Sequence, residues 1–343
     1  MIFHFVLILL VSIALTGLIR YYALSRKILD MPNQRSSHTV PTPRGGGLAI
    51  VLAFVFSMLL LVITQGLDAK TMLVFLSALL VAGIGFFDDH GHVPARWRFL
   101  THLLAAMLVM VLLHGMPLLL LPTPLDWMLD RSMVDLSWLG YAVGVFLLVW
   151  FLNLFNFMDG TDGIAASESL FVATALAGYA FYLDRTLCFL AISLAAASLG
   201  FLGWNWPKAK IFMGDVGSGF LGLLLGILVL MAAQQAAVML YCGLILFGIF
   251  VVDATYTLLY RFCSKQKWYE AHCSHTFQRA AKQYGHLPVL LACWVINLFW
   301  LLPISLLVFL YPAYALLGMA LAYSPLLFLA YLFKAGQADW NQS

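Results

Sequence analysis

Charge is what this chain has least of. Lys, Arg, Asp and Glu make up 10% of its 343 residues, against 63% for hydrophobic residues. So little charge excludes an ordinary soluble domain, in which roughly a quarter of residues are charged. Cysteine is scarce and unpatterned. Cys188, Cys242, Cys263, Cys273 and Cys293 show no CxxC spacing, which excludes a zinc or disulfide framework and leaves reduced, mostly buried thiols. The net charge of +3 is too small to suggest a nucleic-acid partner. The first apolar run has no basic n-region and no small-residue cleavage site, so it reads as a retained helix rather than a signal peptide. No segment repeats at a fixed period, so the inverted-repeat signature of many transporters is missing.

What remains is apolar sequence in helix-spanning lengths. A bilayer core takes roughly 20 apolar residues per helix. Such runs recur near 2–22, 46–64, 71–87, 99–121, 138–154, 163–183, 187–203, 219–233, 236–258, 288–310 and 312–333. They predict an all-α polytopic integral membrane protein, one domain over 1–343, with ten or eleven transmembrane helices. Basic residues set the expected orientation. With eleven helices and the N-terminus outside, only Lys70, Arg131 and Arg185 of the 18 Lys and Arg fall outside. The C-terminus and the loops near 23–45, 88–98, 155–162, 204–218 and 259–287 then lie inside. A basic inner face suits anionic lipid headgroups or phosphates. The longest outer loop, with Trp127, Met128 and Trp138, reads as an interfacial helix or hairpin.

The inner loops hold nearly all the unusual chemistry. In "NLFNFMDGTDG" (153–163), Asp159 and Asp162 precede a helix, where capping is the simplest role. Capping leaves Asn153, Asn156 and Asp159 unexplained. Gly160 and Gly163 allow a tight turn close to a ligand. Asp88 and Asp89 sit at the C-terminal end of the third helix, where the dipole disfavours carboxylates by about 0.3–1 kcal/mol each. A divalent cation or another strong positive partner would relieve that cost. In "FMGDVGSG", Asp215 or Ser218 is placed to cap the eighth helix, or Asp215 supplies an arm of an oxygen-ligand site suited to Mg²⁺. Gly222 and Gly226 read as packing residues.

Basic groups flank these acids. His272 and His275 in "HCSH" are spaced for phosphate binding or proton handling, and Arg279, Lys282 and His286 extend a basic face. Arg35, His38 and Arg44 line the loop that ends in "GGG", whose amides read as available to an anion. Arg96, Arg98, Lys208 and Lys210 read as positive-inside anchors. Asp253, near the inner end of the ninth helix, reads either as a partner of Arg261 or, as an acid at membrane depth, as a functional candidate. Acids for Mg²⁺ and bases for phosphates, beside a lipid phase, point to phosphoryl transfer between a nucleotide and a membrane-bound phosphate or alcohol.

With "PTPRGGG", "DD", "NLFNFMDGTDG", "FMGDVGS" and a histidine loop in that order, the chain resembles the polyprenyl-phosphate N-acetylhexosamine-1-phosphate transferases. The resemblance covers most of the chain. It implies that a lipid phosphate, undecaprenyl phosphate, attacks the β-phosphorus of a UDP-N-acetylhexosamine and that UMP leaves. It implies Mg²⁺, with Mn²⁺ as a substitute, held by Asp215, and a catalytic centre at Asp88 and Asp89. Asn156, Asp159, Asp162, His272, His275, Arg44 and Thr42 would bind substrate. The implied location is the bacterial inner membrane, with the site facing the cytoplasm.

"RSSH" and "HCSHTFQ" resemble the branch that initiates O-antigen or lipopolysaccharide synthesis, including N-acetylfucosamine-type donors. The peptidoglycan branch, phospho-N-acetylmuramoyl-pentapeptide transferase, has consecutive histidines instead and stands as the alternative. A transporter of nucleotide sugars or lipid-linked phosphates is the alternative from another class. It would place polar residues at the bilayer midplane, whereas here they lie at one surface. Direct attack by the lipid phosphate is the expected mechanism, because the second pKa of a phosphate monoester is near ~6 and the nucleophile is already ionised. A phospho-aspartate on Asp88 or Asp89 is the alternative route.

Overall fold

The computed structural model describes residues 1–32, 40–267 and 272–337. Arg35 and His38 lie outside the described residues. The chain is an all-α polytopic membrane protein. Ten helices, or continuous helical stretches, are long and apolar enough to span a bilayer: α1 (Ile2–Ser25), α2 (Leu48–Gln65), α3 (Ala69–Leu76) with α4 (Ala78–His90), α5 (Ala95–Leu113), α7 (Ser137–Met158), α8 (Ile164–Leu183), α9 (Arg185–Asn205), α10 (Asp215–Gln235), α14 (His286–Ile296) through α15 (Leu302–Leu310), and α16 (Ala315–Leu332) with its leading 3₁₀ turn. The eleventh apolar run is broken. α11 (Met239–Leu246) and α12 (Gly248–Cys263) meet at 72° across Phe247, where the sequence predicts one straight helix.

Burial sorts these helices. The side chains of α10 from Val216 to Leu230 are almost wholly inaccessible, and α10 packs against α2, α4, α7, α8 and α9. Peripheral helices instead display Ile2, Phe3, Ile63, Phe146 and Phe299. In water such exposure would be costly, but in lipid it needs no partner. Gly222 and Gly226 let α10 lie against α7, as expected: a Cβ on Gly222 would meet the Phe151 carbonyl oxygen at 2.5 Å.

Two short hairpins close the loops. β1 (Leu29–Asp30) pairs antiparallel with β2 (Thr42–Pro43). β3 (Leu119–Leu120) pairs with β4 (Met133–Val134) on the opposite side of the bundle and flanks α6 (Leu125–Leu129). Trp127, Met128 and Trp138 are strongly exposed there, as an interfacial hairpin requires. On the first side lies α13 (Thr276–Tyr284), a short amphipathic helix.

Candidate active site

The two acids of "DD" fall in the last turn of α4, and the structure shows what offsets the unfavourable dipole there. Asp89 reaches the start of α10. The N–H groups of Asp215 and Val216 donate to its two carboxylate oxygens at 2.9 and 3.1 Å. Asp89 therefore caps α10 from another helix, at the dipole end where negative charge is favoured. Its side chain is fully inaccessible, and the Arg44 Nε lies 2.7 Å away. Gly214 makes room for this contact: at φ +76, a Cβ there would meet the Asp89 carboxylate at 2.4 Å. Asp89 was expected at the catalytic centre. Its oxygens accept two backbone N–H groups and the Arg44 guanidinium.

Capping by Asp89 leaves Asp215 free for something else. Its carboxylate takes Arg44 Nη2 at 3.2 Å and Arg98 Nη1 at 2.6 Å. The same Arg98 nitrogen lies 2.8 Å from Asp88, whose other oxygen accepts the Val93 N–H. Arg98, expected to be a membrane anchor, is thus a member of the acidic cluster. The sequence signal available was position: Arg98 lies one turn into α5, near the positive helix end, where arginine has no local reason to be. Burial by itself would lower the Arg44 pKa, but Asp89 and Asp215 outweigh it and raise it.

Asp159 terminates α7 beside this cluster. Among the described residues its carboxylate has no hydrogen bond or ion pair. Burial, reinforced by Asp215, Asp89 and Asp162 against Arg44, holds it well above the usual carboxylate range, although part of the residue stays accessible. Asn156 donates to Ser218 Oγ at 3.3 Å, and so joins α7 to the first turn of α10. Asn153 turns back to the Val149 carbonyl of its own helix.

Other expected site residues have structural duties. The Asp162 carboxylate accepts the Ala209 N–H at 3.1 Å and lies 3.2 Å from His286 Nδ1. It ties the DGTDG turn to the 206–214 segment and to α14, and does not cap α8. The Thr42 hydroxyl donates to the Val40 carbonyl. In "GGG", the Gly46 and Gly47 N–H groups donate to the carbonyls of Phe212 and Met213, so they are not available to an anion. That pairing brings Arg44 to Asp215.

The histidine pair borders the same turn. His275 is buried and stacks on Phe157 and Phe277, and its ring centroid is 5.0 Å from that of His272. His275 Nδ1 lies 3.4 Å from Asp253. Asp253, for which a pair with Arg261 is one of the two sequence readings, accepts the Thr276 and Phe277 N–H groups and so caps α13. Burial, helped by His275 and Arg261, pushes His272 down to about 3, so it is neutral at physiological pH. Gln278 and Phe277 of α13 lie against Gly160, which brings α13 to the DGTDG turn.

Among the described residues, no three His, Cys, Asp or Glu side chains converge as a ready-made metal cage. The donor chemistry still fits Mg²⁺, which takes one or two carboxylates and fills its shell with water and phosphate oxygens. One positive atom, Arg98 Nη1, already sits within contact of both Asp88 and Asp215. A small cation at that point meets the same two oxygens.

Comparison with known proteins finds similar sequences. The family model described as "Glycosyl transferase family 4" matches residues 71–233, a span that includes Asp88, Asp89, Arg98, Asn156, Asp159, Asp162 and Asp215. A probable undecaprenyl-phosphate N-acetylglucosaminyl 1-phosphate transferase of Bacillus subtilis is 29% identical over 280 residues, covering 80% of this chain and 75% of that protein. A decaprenyl-phosphate N-acetylglucosaminephosphotransferase of Mycobacterium tuberculosis is 32% identical over 61% of this chain and 55% of its own length. A phospho-N-acetylmuramoyl-pentapeptide-transferase of Methylacidiphilum infernorum is 27% identical over 77% of this chain and 78% of its own length. With its motifs on one face of a polytopic bundle, the chain is similar to glycosyl transferase family 4 over residues 71–233 and to these relatives along more of its length.

Proposed function

We propose that this chain transfers an N-acetylhexosamine 1-phosphate from a UDP-sugar to a polyprenyl phosphate and releases UMP. The observation that carries this reading is the convergence of Asp88, Asp215, Arg44 and Arg98 at one end of the bundle. Carboxylates and guanidinium groups interleaved at a membrane surface suit the meeting of two anionic phosphates. An oxygen of the lipid phosphate attacks the β-phosphorus. The bond between that phosphorus and the bridging oxygen breaks, and the electron pair leaves on UMP. The nucleophile is ionised near neutrality, since its second pKa is ~6, and needs no strong base.

Asp88 and Asp215 would hold Mg²⁺, which supplies charge neutralisation for the reacting phosphates. Arg44 and Arg98 orient and neutralise phosphate oxygens, because a guanidinium matches them in geometry. Neutral His272 is suited to donate one hydrogen bond rather than a full charge. Asp159, the first residue of the DGTDG turn and without a hydrogen-bond partner among the described residues, would face the nucleotide side. An apolar cavity of about 350 Å³ among α12, α13, α14 and α16 reaches Asp253 and Phe277 and supports a lipid co-substrate. Saturation of both Asp89 oxygens supports direct attack over a phospho-aspartate at that residue.

The names of the Bacillus and Mycobacterium relatives favour N-acetylglucosamine as the transferred sugar. The short histidine loop favours a first step in O-antigen or other envelope polysaccharide synthesis. The site then faces the cytoplasm of a bacterial inner membrane. A donor panel tests the reading. UDP-N-acetylglucosamine, UDP-N-acetylfucosamine-type sugars and UDP-N-acetylmuramoyl-pentapeptide are offered with undecaprenyl phosphate and Mg²⁺. UMP and a lipid-linked product should appear with a UDP-N-acetylhexosamine. Turnover of the pentapeptide donor alone would transfer the chain to the peptidoglycan branch. No UMP from any donor would remove the transferase reading.

A further inference from the structure

We infer that Arg98 is a displaceable counter-ion: it occupies the cation position between Asp88 and Asp215, and yields it when a divalent cation binds. This rests on the transferase reading above.

The two arginines of the cluster are attached differently. Arg44 uses two nitrogens on two carboxylates, one of them the fully inaccessible Asp89, and its own N–H is bonded to the Ile28 carbonyl. It is pinned from both ends. Arg98 is held by one corner. Its Nη1 alone contacts Asp88 and Asp215, at 2.8 and 2.6 Å, while its Nε and Nη2 make no hydrogen bond among the described residues. About a third of each side chain is accessible, so anchoring rather than exposure separates the two. It springs from the first turn of α5, where the helix dipole opposes a positive charge. Nothing local holds it there except the two acids.

Asp88 and Asp215 come from different helices and would repel if left bare. Arg98 offsets that repulsion and keeps α4, α5 and α10 in register. A divalent cation at the same point places positive charge against the guanidinium. The two occupants then exclude one another, and each weakens the other's binding by the same factor. Once released, the fork of Arg98 has three nitrogens available for the oxygens of a nucleotide-sugar diphosphate. The displaced arginine and the arriving phosphate are thereby coupled.

The test is Mn²⁺ binding to the purified full chain in detergent, read by electron paramagnetic resonance without nucleotide or lipid. Arg98→Gln should bind Mn²⁺ about tenfold more tightly than the parent, within the usual range of site-to-site coupling. Its metal-free melting temperature should fall and recover when Mn²⁺ is added. Arg98→Lys, which keeps a compact charge, should bind with intermediate affinity, and it supplies the same comparison if Arg98→Gln does not fold. Arg96→Gln should behave as the parent, since Arg96 lies over Trp97 at 5.7 Å and removes the same charge from the same face. Equal or weaker Mn²⁺ binding in the Arg98 variants would overturn the inference. So would an equal gain in Arg96→Gln, which would mean general surface charge. Asp215→Asn separates the two layers. If the parent binds Mn²⁺ and Asp215→Asn does not, a null result at Arg98 removes only the displacement. If the parent shows no binding that Asp215→Asn abolishes, the metal reading falls with it.

Discussion

Asp89 and Asp159 show how neighbouring acids of one type acquire different work. Asp89 holds two backbone N–H groups and Arg44, with no oxygen left over. Asp159 has no hydrogen-bonding partner among the described residues and keeps some access to solvent. A route through a phospho-aspartate turns a carboxylate oxygen on phosphorus, and at Asp89 that oxygen would first have to give up a backbone N–H or Arg44. Enzyme, Mg²⁺ and UDP-sugar, stripped of polyprenyl phosphate, should therefore not exchange labelled UMP into UDP-sugar. Robust exchange that disappears in Asp88→Asn would restore the covalent route through Asp88. Asp89→Ala is expected to act mainly on stability. It removes a helix cap and leaves Arg44 without its buried partner, a loss of about 3–5 kcal/mol for breaking such a pair. The melting temperature in detergent should fall well before substrate affinity changes.

The meeting of α2 and α10 is set by glycine. A Cβ on Gly47 would lie 2.3 Å from the Gly217 Cα and 2.7 Å from its N, both backbone atoms that cannot swing aside. Gly47 follows Arg44 by three residues and Gly217 follows Asp215 by two, so pushing the helices apart should withdraw the guanidinium from Asp89 and Asp215. Gly47→Ala should cost about 1–3 kcal/mol as an overpacked site and reduce UMP release more than it raises the KM for UDP-sugar. Gly83→Ala is the matched control, because a Cβ there meets nothing within 4 Å. It should melt at or slightly above the parent temperature. Equal losses in the two variants would show that helix packing at Gly47 is not special. Another helix junction escapes any reading of charge. Glu168 of α8 is buried and accepts from Asn297 Nδ2 at 2.7 Å, at the start of a π-turn that interrupts the α14–α15 span. It links the helix that follows the DGTDG turn to the one that begins with His286.

Across the bundle, the ends of α4, α7, α9 and α12 and the starts of α5, α8 and α10 share one side, whereas Lys70, Arg131 and Arg185 lie at the other ends of their elements. By the positive-inside rule, the acid–arginine cluster is predicted to face the cytoplasm. A reporter fused at the C-terminus should report the cytoplasmic side, and one inserted at Asp130, in the exposed turn after α6, should report the outside. The reverse result would put the site on the face where nucleotide sugars are not made and would undo the proposed function.

Apolar run length foretold the number and placement of spans, because bilayer thickness sets helix length irrespective of what each helix touches. The motif order pointed to loops whose acids and arginines the fold brings together at one end of the bundle. Assignment within the cluster was not legible in the same way. Asp88 and Asp89 are adjacent and identical in type, yet one turns to α5 and the other to α10. Arg98 looked like an anchor because its partners lie 10 and 117 positions away in the chain. The "GGG" amides looked free because the strand-like segment that takes them, at Phe212 and Met213, is distant in sequence. The bend at Phe247 leaves no Pro or polar break in an apolar run. Local pattern follows from the solvent each residue must face. The partner of a charge is decided by packing between helices, where distance in space has no relation to distance along the chain.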